Sequence, residues 1–153
     1  MGFYSEEAYK SSALFTWSTP KDFFDKLNSV YNFGLDAAAV QATALCEKWY
    51  GPDHPNNLRR DAFDWEWHKD CDGKPIYLNP PYGRTIGSWM LKANEEVSKG
   101  AIVIALVPAR TDTNWWHNYV IQHKVEFIKG RLKFGNQKNS APFPSAVVHM
   151  GVQ

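Results

Sequence analysis

The sequence has only two cysteines, Cys46 and Cys71, among its 153 residues, and their neighbours show no paired C-x-x-C spacing. Two cysteines are too few for the disulfide framework on which small secreted domains depend. No apolar run reaches the roughly 20 residues of a membrane-spanning helix, and the segment after Met1 lacks the basic flank and apolar core of a signal peptide. We therefore expect a soluble, intracellular protein.

Metal-binding clusters and several common catalytic motifs are also missing. The five histidines are scattered, and only His68 and Cys71 have a ligand-like spacing, with no second pair to complete a tetrahedral site. The sequence contains no G-x-S-x-G and no G-x-x-x-x-G-K, which argues against a serine-nucleophile hydrolase and a P-loop enzyme. We predict no metal site.

Neither sign of charge dominates, since 17 lysines and arginines face 16 acidic residues for a formal net charge of +1. This balance gives no bulk electrostatic indication of a nucleic-acid partner. Aromatic residues are abundant instead, at 15% of the chain with seven tryptophans. With 44% hydrophobic residues the chain can bury a core, so we predict one domain over residues 1–153, monomeric or weakly associating, with residues 1–12 flexible.

Hydrophobic periodicity predicts strands that alternate with helices. Ser18 or Thr19 can cap a helix over about 20–30, and an alanine-rich run after Asp36 predicts another helix toward residue 47. The later elements are a strand at 74–78, a helix at 87–100, a strand at 101–110, a helix at 114–123, a strand and turn at 124–135, a loop at 136–145 and a last strand at 146–152. This order predicts an α/β fold with a mostly parallel sheet.

Three of the predicted strands end in distinctive polar segments, namely Asp36-Ala37-Ala38, Asn79-Pro80-Pro81-Tyr82 and Pro108-Ala109-Arg110-Thr111-Asp112. The carboxyl ends of parallel strands lie along one edge of a doubly wound sheet, where such sheets bind their ligands. We therefore expect the three segments to converge on one crevice.

The segment "YLNPPYG", residues 77–83, indicates the chemistry of that crevice. Its double proline ends a strand abruptly, so the Pro80 carbonyl is not used in hydrogen bonds to a neighbouring strand. The Asn79 side-chain oxygen and this carbonyl can accept both N–H groups of an aromatic amine, which draws a delocalised nitrogen toward a tetrahedral shape. Tyr82 offers a flat face for a base, a contact worth roughly 1–3 kcal/mol. The segment favours methylation of a base that has been flipped out of a duplex.

This segment and four others, in the same order, resemble a known family. The five segments are Trp17-Ser18-Thr19-Pro20, Leu35-Asp36-Ala37-Ala38, Asn79-Pro80-Pro81-Tyr82-Gly83, residues 107–113 and residues 130–134. Together they are similar to the small bacteriophage and prophage Dam-type DNA adenine-N6 methyltransferases over about residues 15–150. The resemblance implies a Rossmann-like class I methyltransferase fold, with helices flanking a mostly parallel central sheet and an antiparallel C-terminal strand.

The resemblance also implies roles for individual residues. The catalytic residues would be Asn79, Pro80, Pro81 and Tyr82. S-adenosylmethionine would be bound by Trp17, Thr19, Pro20, Asp36, Ala37, Ala38, Asp61 and Asn79, with Asp64 as the alternative to Asp61 for the cofactor's adenine. The chain departs from the wider superfamily because it has no G-x-G after the first strand. The acid that binds the cofactor's ribose stays open between Glu47 and Asp53.

DNA is the partner that the resemblance implies, and residues 131–145 are the best candidate loop for contacting it. Its basic residues can meet phosphates, and either of its phenylalanines can close over the flipped base or simply pack in the core. The predicted DNA-binding residues are Arg84, Arg110, Arg131, Lys133, Phe134 and Phe143, with Lys138 as a further phosphate contact. Arg110 can instead form a local ion pair with Asp112, and Asp36 can instead cap a following helix.

Two other functions remain open at this point. An N-P-P-Y enzyme can act on protein glutamine, as the methyltransferases of release factors do, or on RNA. A relative that binds DNA or cofactor without turnover is also consistent with the missing G-x-G. The leading prediction is a DNA adenine-N6 methyltransferase in the cytoplasm of a bacterial or phage-infected cell, and it needs no general base, because the sulfonium already activates the methyl group.

Overall fold

Five strands form one mixed sheet in the computed structural model, which describes residues 17–135 and 137–153. The strands are β1 (Leu35–Asp36), β2 (Ile76–Leu78), β3 (Val103–Pro108), β4 (Lys124–Phe127) and β5 (Ser145–Met150). They lie in the order β1-β2-β3-β5-β4. β1, β2 and β3 pair in parallel, whereas β5 is antiparallel to both β3 and β4. Four strands thus share one direction and the C-terminal strand opposes them, which confirms the predicted Rossmann-like α/β fold.

In the described part of the chain, α1 (Lys21–Tyr31) precedes β1, and three helices lie between later strands. These are α2 (Trp67–Asp70), α3 (Ile86–Ser98) and α4 (Asn114–Tyr119), with single 3-10 turns at Gln41–Thr43, Asn57–Arg59 and Ala62–Asp64. The bounds of α1 and α3 agree closely with the sequence prediction. None of the helices in the described part of the chain is long and apolar enough to cross a membrane. The predicted flexible segment 1–12 lies outside the described residues.

The sheet separates two hydrophobic cores because successive side chains of a strand point to opposite faces. Ile76 and Leu78 of β2 pack on one face with Trp89 and Met90 of α3. Tyr77, which lies between them in sequence, packs on the other face with Phe24 of α1 and with Ile104 and Leu106 of β3. All six residues of β3 are buried. The unbroken apolar run therefore forms a strand covered on both faces, as predicted.

The predicted alanine-rich helix after β1 is wrong. The Ala37 N–H donates to the Tyr77 carbonyl at 3.0 Å and the Ala39 N–H to the Tyr50 carbonyl at 2.9 Å, and only a 3-10 turn follows. Ala37 and Ala39 are both buried in this non-helical segment. Burial and hydrogen bonds to residues outside this run outweigh the helix propensity of alanine. That propensity favours alanine over most other residue types by only a fraction of a kcal/mol per residue.

The predicted cap of α1 is also wrong. The N-cap residue is Pro20, and no side chain caps the helix. Thr19 directs its hydroxyl toward β2 instead of toward the helix. Helix α1 thus begins after a proline, and Thr19 makes a tertiary contact instead of capping the helix.

Candidate active site

The carboxamide of Asn79 is the centre of the polar groups at the end of β2. Its Nδ2 donates to the Trp17 carbonyl at 2.7 Å and to the Thr19 hydroxyl at 3.2 Å. A carbonyl only accepts hydrogen bonds, so the nitrogen of the carboxamide must face Trp17 and the oxygen must face away. That oxygen, Oδ1, is buried and has no hydrogen-bond partner among the described residues. An unpaired buried acceptor costs about 1–3 kcal/mol, and this oxygen has the capacity to accept a hydrogen bond from a ligand.

The buried phenol of Tyr77 supports the Thr19 hydroxyl in this arrangement. The Tyr77 and Thr19 hydroxyls lie 2.6 Å apart, and Tyr77 is fully buried. Burial raises the pKa of Tyr77 far above its ordinary value, so the phenol stays neutral. No sequence motif indicated a role for Tyr77, although a tyrosine hydroxyl in a buried strand needs a polar partner nearby.

Asp36 brings a carboxylate from the end of β1 to the same place. It is 2% exposed, and its oxygens accept from the Leu45 N–H at 3.1 Å and weakly from the Ala38 N–H at 3.4 Å. Burial raises its pKa to about 7 despite these two hydrogen bonds. Burial, followed by the nearby charge of Asp36, also raises the pKa of Cys46 to about 12. This edge of the sheet therefore holds the Asp36 carboxyl, which titrates near neutral pH, and the Cys46 thiol, which stays protonated.

Asp36 and Asn79 line one cavity. Its other walls are Ser18, Thr19, Ala38, Thr43, Leu45 and Tyr77. The predicted convergence of the first two strand ends is therefore present in the fold. The cavity measures about 10 Å³, room for about one water molecule. A nucleobase or a cofactor is much larger than this space, so either could enter it only if part of the wall moved.

Aromatic rings surround Tyr82 next to this cavity. Its ring makes edge contacts with Phe134 at 6.1 Å and Phe143 at 5.6 Å between centroids, and both of these rings contact Trp17. The Tyr82 hydroxyl donates to the Leu106 carbonyl at 3.2 Å, which anchors the ring to β3. Phe134 and Phe143 are 1% and 6% exposed, so they pack as core residues beside Tyr82. Their predicted contact with a flipped base stays a prediction.

The third polar segment and the predicted DNA loop reach the same edge of the sheet. Phe127 pairs with Ala146, and Pro108 pairs with Ser145, so the connection 128–144 begins and ends beside the carboxyl end of β3. The Arg110 guanidinium lies 5.6 Å from the ring centroid of Phe143. No ion pair joins it to Asp112 among the described residues. Lys133 and Lys138 are exposed, and Arg131 is exposed with a weak bond to the Ala141 carbonyl.

A family model described as DNA N-6-adenine-methyltransferase (Dam) matches residues 8–147, nearly the whole chain. The chain belongs to this Dam family. The DNA N-6-adenine-methyltransferase of Escherichia phage T1 is 36% identical over 101 residues, which are 65% of this chain and 38% of the phage T1 protein. The chain thus covers well under half of that relative's length. No solved structure matches the chain.

Family membership confirms the resemblance drawn from the five segments, while the individual roles stay predictions. Asp61 accepts from the Phe63 N–H at 3.0 Å as the cap of a 3-10 turn, and Asp64 is exposed. Neither lines the Asn79 cavity. Of the two candidate ribose acids, Asp53 accepts from the Gln41 N–H at 3.0 Å, and Glu47 is exposed. Within residues 17–135 and 137–153 there is no group of three or more potential metal ligands.

Proposed function

We propose that this Dam-family chain transfers a methyl group from S-adenosylmethionine to the N6 amine of adenine in DNA. The observation that supports this most is the buried Oδ1 of Asn79, which is unpaired among the described residues. The carboxamide is oriented by its nitrogen, which donates to the Trp17 carbonyl and the Thr19 hydroxyl. An aromatic amine offers two N–H donors, and a site for it must offer acceptors that are not already in use.

The acceptor set can be completed by the backbone. No hydrogen bond to the Pro80 carbonyl occurs within the described residues, and Pro80 and Pro81 are both buried and rigid. With Asn79 Oδ1 on one N–H and the Pro80 carbonyl on the other, the amine lone pair is drawn out of conjugation toward the methyl donor. Tyr82, fixed through its hydroxyl to β3, would stack on the base.

The polar groups that line the cavity with Asn79 suit the methionine end of the cofactor. Asp36 supplies a carboxylate for the ammonium group, and Thr19 and Ala38 supply the adjoining wall. When bound, S-adenosylmethionine supplies an electrophilic methyl group on its sulfonium. The cavity of about 10 Å³ must open to admit it, so cofactor binding has to move part of the cavity wall. No general base is needed in the chain, because the amine proton can leave to solvent after transfer.

The test is transfer of labelled methyl from S-adenosylmethionine to unmethylated DNA, followed by nucleoside analysis, with Asn79→Ala and Asn57→Ala as matched variants. Asn57 is exposed and lies on a 3-10 turn outside the cavity. We expect label in N6-methyladenine with the unaltered protein and with Asn57→Ala, and at least roughly a hundredfold loss with Asn79→Ala. Equilibrium dialysis with labelled cofactor should show binding largely intact in Asn79→Ala.

RNA and protein acceptors run in parallel with DNA. Label only in protein glutamine or in RNA would replace the DNA proposal with the corresponding N-P-P-Y activity. Cofactor binding with no label in any acceptor would identify a relative without turnover. Full activity of Asn79→Ala on DNA would remove the assigned role of the carboxamide.

A further inference from the structure

A second concave surface begins where the N-P-P-Y segment ends. Gly83 follows Tyr82 directly and lines a groove of about 550 Å³ between the first half of α3 and α4. Four peptide units separate Gly83 from Asn79, so the groove starts within about 15 Å of the reactive carboxamide. Neighbouring nucleotides on a strand of duplex DNA are separated by about 3.4 Å along the axis. The groove therefore lies within a few nucleotides of any base held at Asn79.

The polar groups of the groove are those that recognise a nucleic acid strand. Arg84 is exposed and has no hydrogen bond or ion pair with any described residue. The side chains of Asn114 and Asn118, one turn apart on α4, are likewise exposed and have no partner within that part of the chain. Among the described residues, no carboxylate lines the groove. A lone guanidinium suits a phosphate, and exposed carboxamides suit the edges of bases.

The floor of the groove is apolar and firmly held. Trp115 and Tyr119 are partly buried. They pack against the core that contains Trp89 and Met90, and they also line the groove. Gly87, the second residue of α3, also lines it, and a Cβ there would lie 3.6 Å from Trp115 Cβ. A side chain longer than that of alanine would occupy part of the groove beside Trp115, so glycine, a poor helix former, leaves this part open.

We propose that this groove holds the DNA nucleotides that flank the target adenine, with Arg84 on a phosphate and Asn114 and Asn118 on base edges. The inference rests on the proposed function and goes beyond it, because it places recognition of the flanking sequence on α4. Phosphate contacts fix the register of the strand, and contacts with base edges make the neighbouring bases matter. An RNA or a peptide in the same groove is an alternative occupant that the test below excludes or reveals.

The first measurement is DNA affinity at a series of salt concentrations for the unaltered protein, Arg84→Gln and Lys99→Gln. Lys99 is an equally exposed cation at the far end of α3, about 20 Å from Arg84 along the 13-residue helix. We expect Arg84→Gln to reduce the slope of log affinity against log salt by about one and Lys99→Gln to leave it unchanged. Equal slopes in the two variants, both with the melting temperature of the parent, would overturn the proposal.

The second measurement is methylation of a DNA library with random bases on both sides of adenine, read by sequencing. Substituting Asn114→Ala and Asn118→Ala together should relax the preference at one or more flanking positions at least severalfold, while Lys99→Gln keeps the parental preference. An unchanged preference in the double variant would overturn the base-reading role.

The two proposals fail separately. DNA binding with the Arg84 effect but without methylation would leave the groove assignment standing and overturn the enzymatic one. Methylation of DNA with Arg84→Gln indistinguishable from Lys99→Gln would do the reverse. Tighter Arg84-dependent binding of RNA or peptide than of DNA would overturn the assignment to DNA.

Discussion

The Thr19 hydroxyl accepts a hydrogen bond from Asn79 Nδ2 at 3.2 Å, across 60 positions of the sequence. The same hydroxyl lies 2.6 Å from that of Tyr77. Thr19 thereby connects a buried phenol to the carboxamide of Asn79, whose oxygen is unpaired among the described residues. This contact makes Thr19 a positioning residue for Asn79, in addition to the cofactor contact that the resemblance implies.

Replacing Thr19 with valine should therefore lower the rate of methyl transfer. Valine has nearly the same shape but removes the acceptor for Nδ2, a hydrogen bond worth about 1 kcal/mol, so we expect kcat to fall roughly fivefold to tenfold. Thr19→Ser keeps the hydroxyl and should restore most of the rate. Steady-state kinetics with DNA as the varied substrate will show whether kcat changes while KM for DNA does not. Equal kcat values for the valine and serine variants would contradict this role.

Tyr82 should tolerate loss of its hydroxyl better than loss of its ring. Tyr82→Phe removes only the bond to the Leu106 carbonyl, with an expected loss of about 1 kcal/mol in the free energy of unfolding. Tyr82→Ala removes the stacking face as well and should cost roughly a further 1–3 kcal/mol in binding of a flipped base. The comparison is made by urea denaturation and by methyl transfer on one DNA substrate. If Tyr82→Ala transferred methyl as fast as Tyr82→Phe, stacking by this residue would be excluded.

Local patterns predicted much of this fold, because β3 and α3 owe their form to signals within their own residues. The run at β3 is apolar throughout, and α3 buries Trp89, Met90 and Ala93 at helical spacing. The alanine-rich run failed as a helix because its backbone partners, Tyr50 and Tyr77, come from elsewhere in the chain. No local pattern reports such partners.

The same limit applies to the site. The segment from Asn79 to Tyr82 and its convergence with Asp36 followed from strand order and from the N-P-P-Y pattern. The orientation of the Asn79 carboxamide did not, because Trp17 and Thr19 determine it from about 60 positions away. The small volume of the cavity could not be predicted from the sequence either, since it depends on how the lining residues pack.

Glu96 should be among the residues most important for stability. It is fully buried in α3, where its carboxylate accepts from Lys92 Nζ at 2.8 Å and bonds to the His68 ring at 2.6 Å. Glu96→Ala removes these hydrogen bonds and leaves the partly buried Lys92 ammonium without its carboxylate, so it should lower the free energy of unfolding by about 3 kcal/mol. The exposed neighbour provides the control, because Glu95→Ala should change it by less than about 0.5 kcal/mol. Similar urea midpoints for the two variants would show that the buried network is dispensable.

Asp36 should make the folded protein less stable as the pH rises toward neutrality. Its pKa of about 7 in the fold lies above its ordinary value of 3.8, so between these values the folded state holds a proton that the unfolded state has released. Stability falls with rising pH wherever the folded state binds more protons. Each pKa unit corresponds to about 1.4 kcal/mol, so ionised Asp36 costs the fold roughly 4 kcal/mol relative to the neutral form.

Asp36→Asn removes this titration and should gain stability relative to the unaltered protein by about 2–3 kcal/mol on going from pH 5 to pH 8. Urea denaturation at both pH values measures the change, with Asp22→Asn, an exposed carboxylate of α1, as the control. A relative stability of Asp36→Asn that did not depend on pH would contradict the buried titration. Since the proposed cofactor presents an ammonium group to Asp36, the same variant should bind labelled S-adenosylmethionine more weakly at pH 8. A stabilised variant with weakened cofactor binding would show that the fold tolerates a buried carboxylate here for the sake of its ligand.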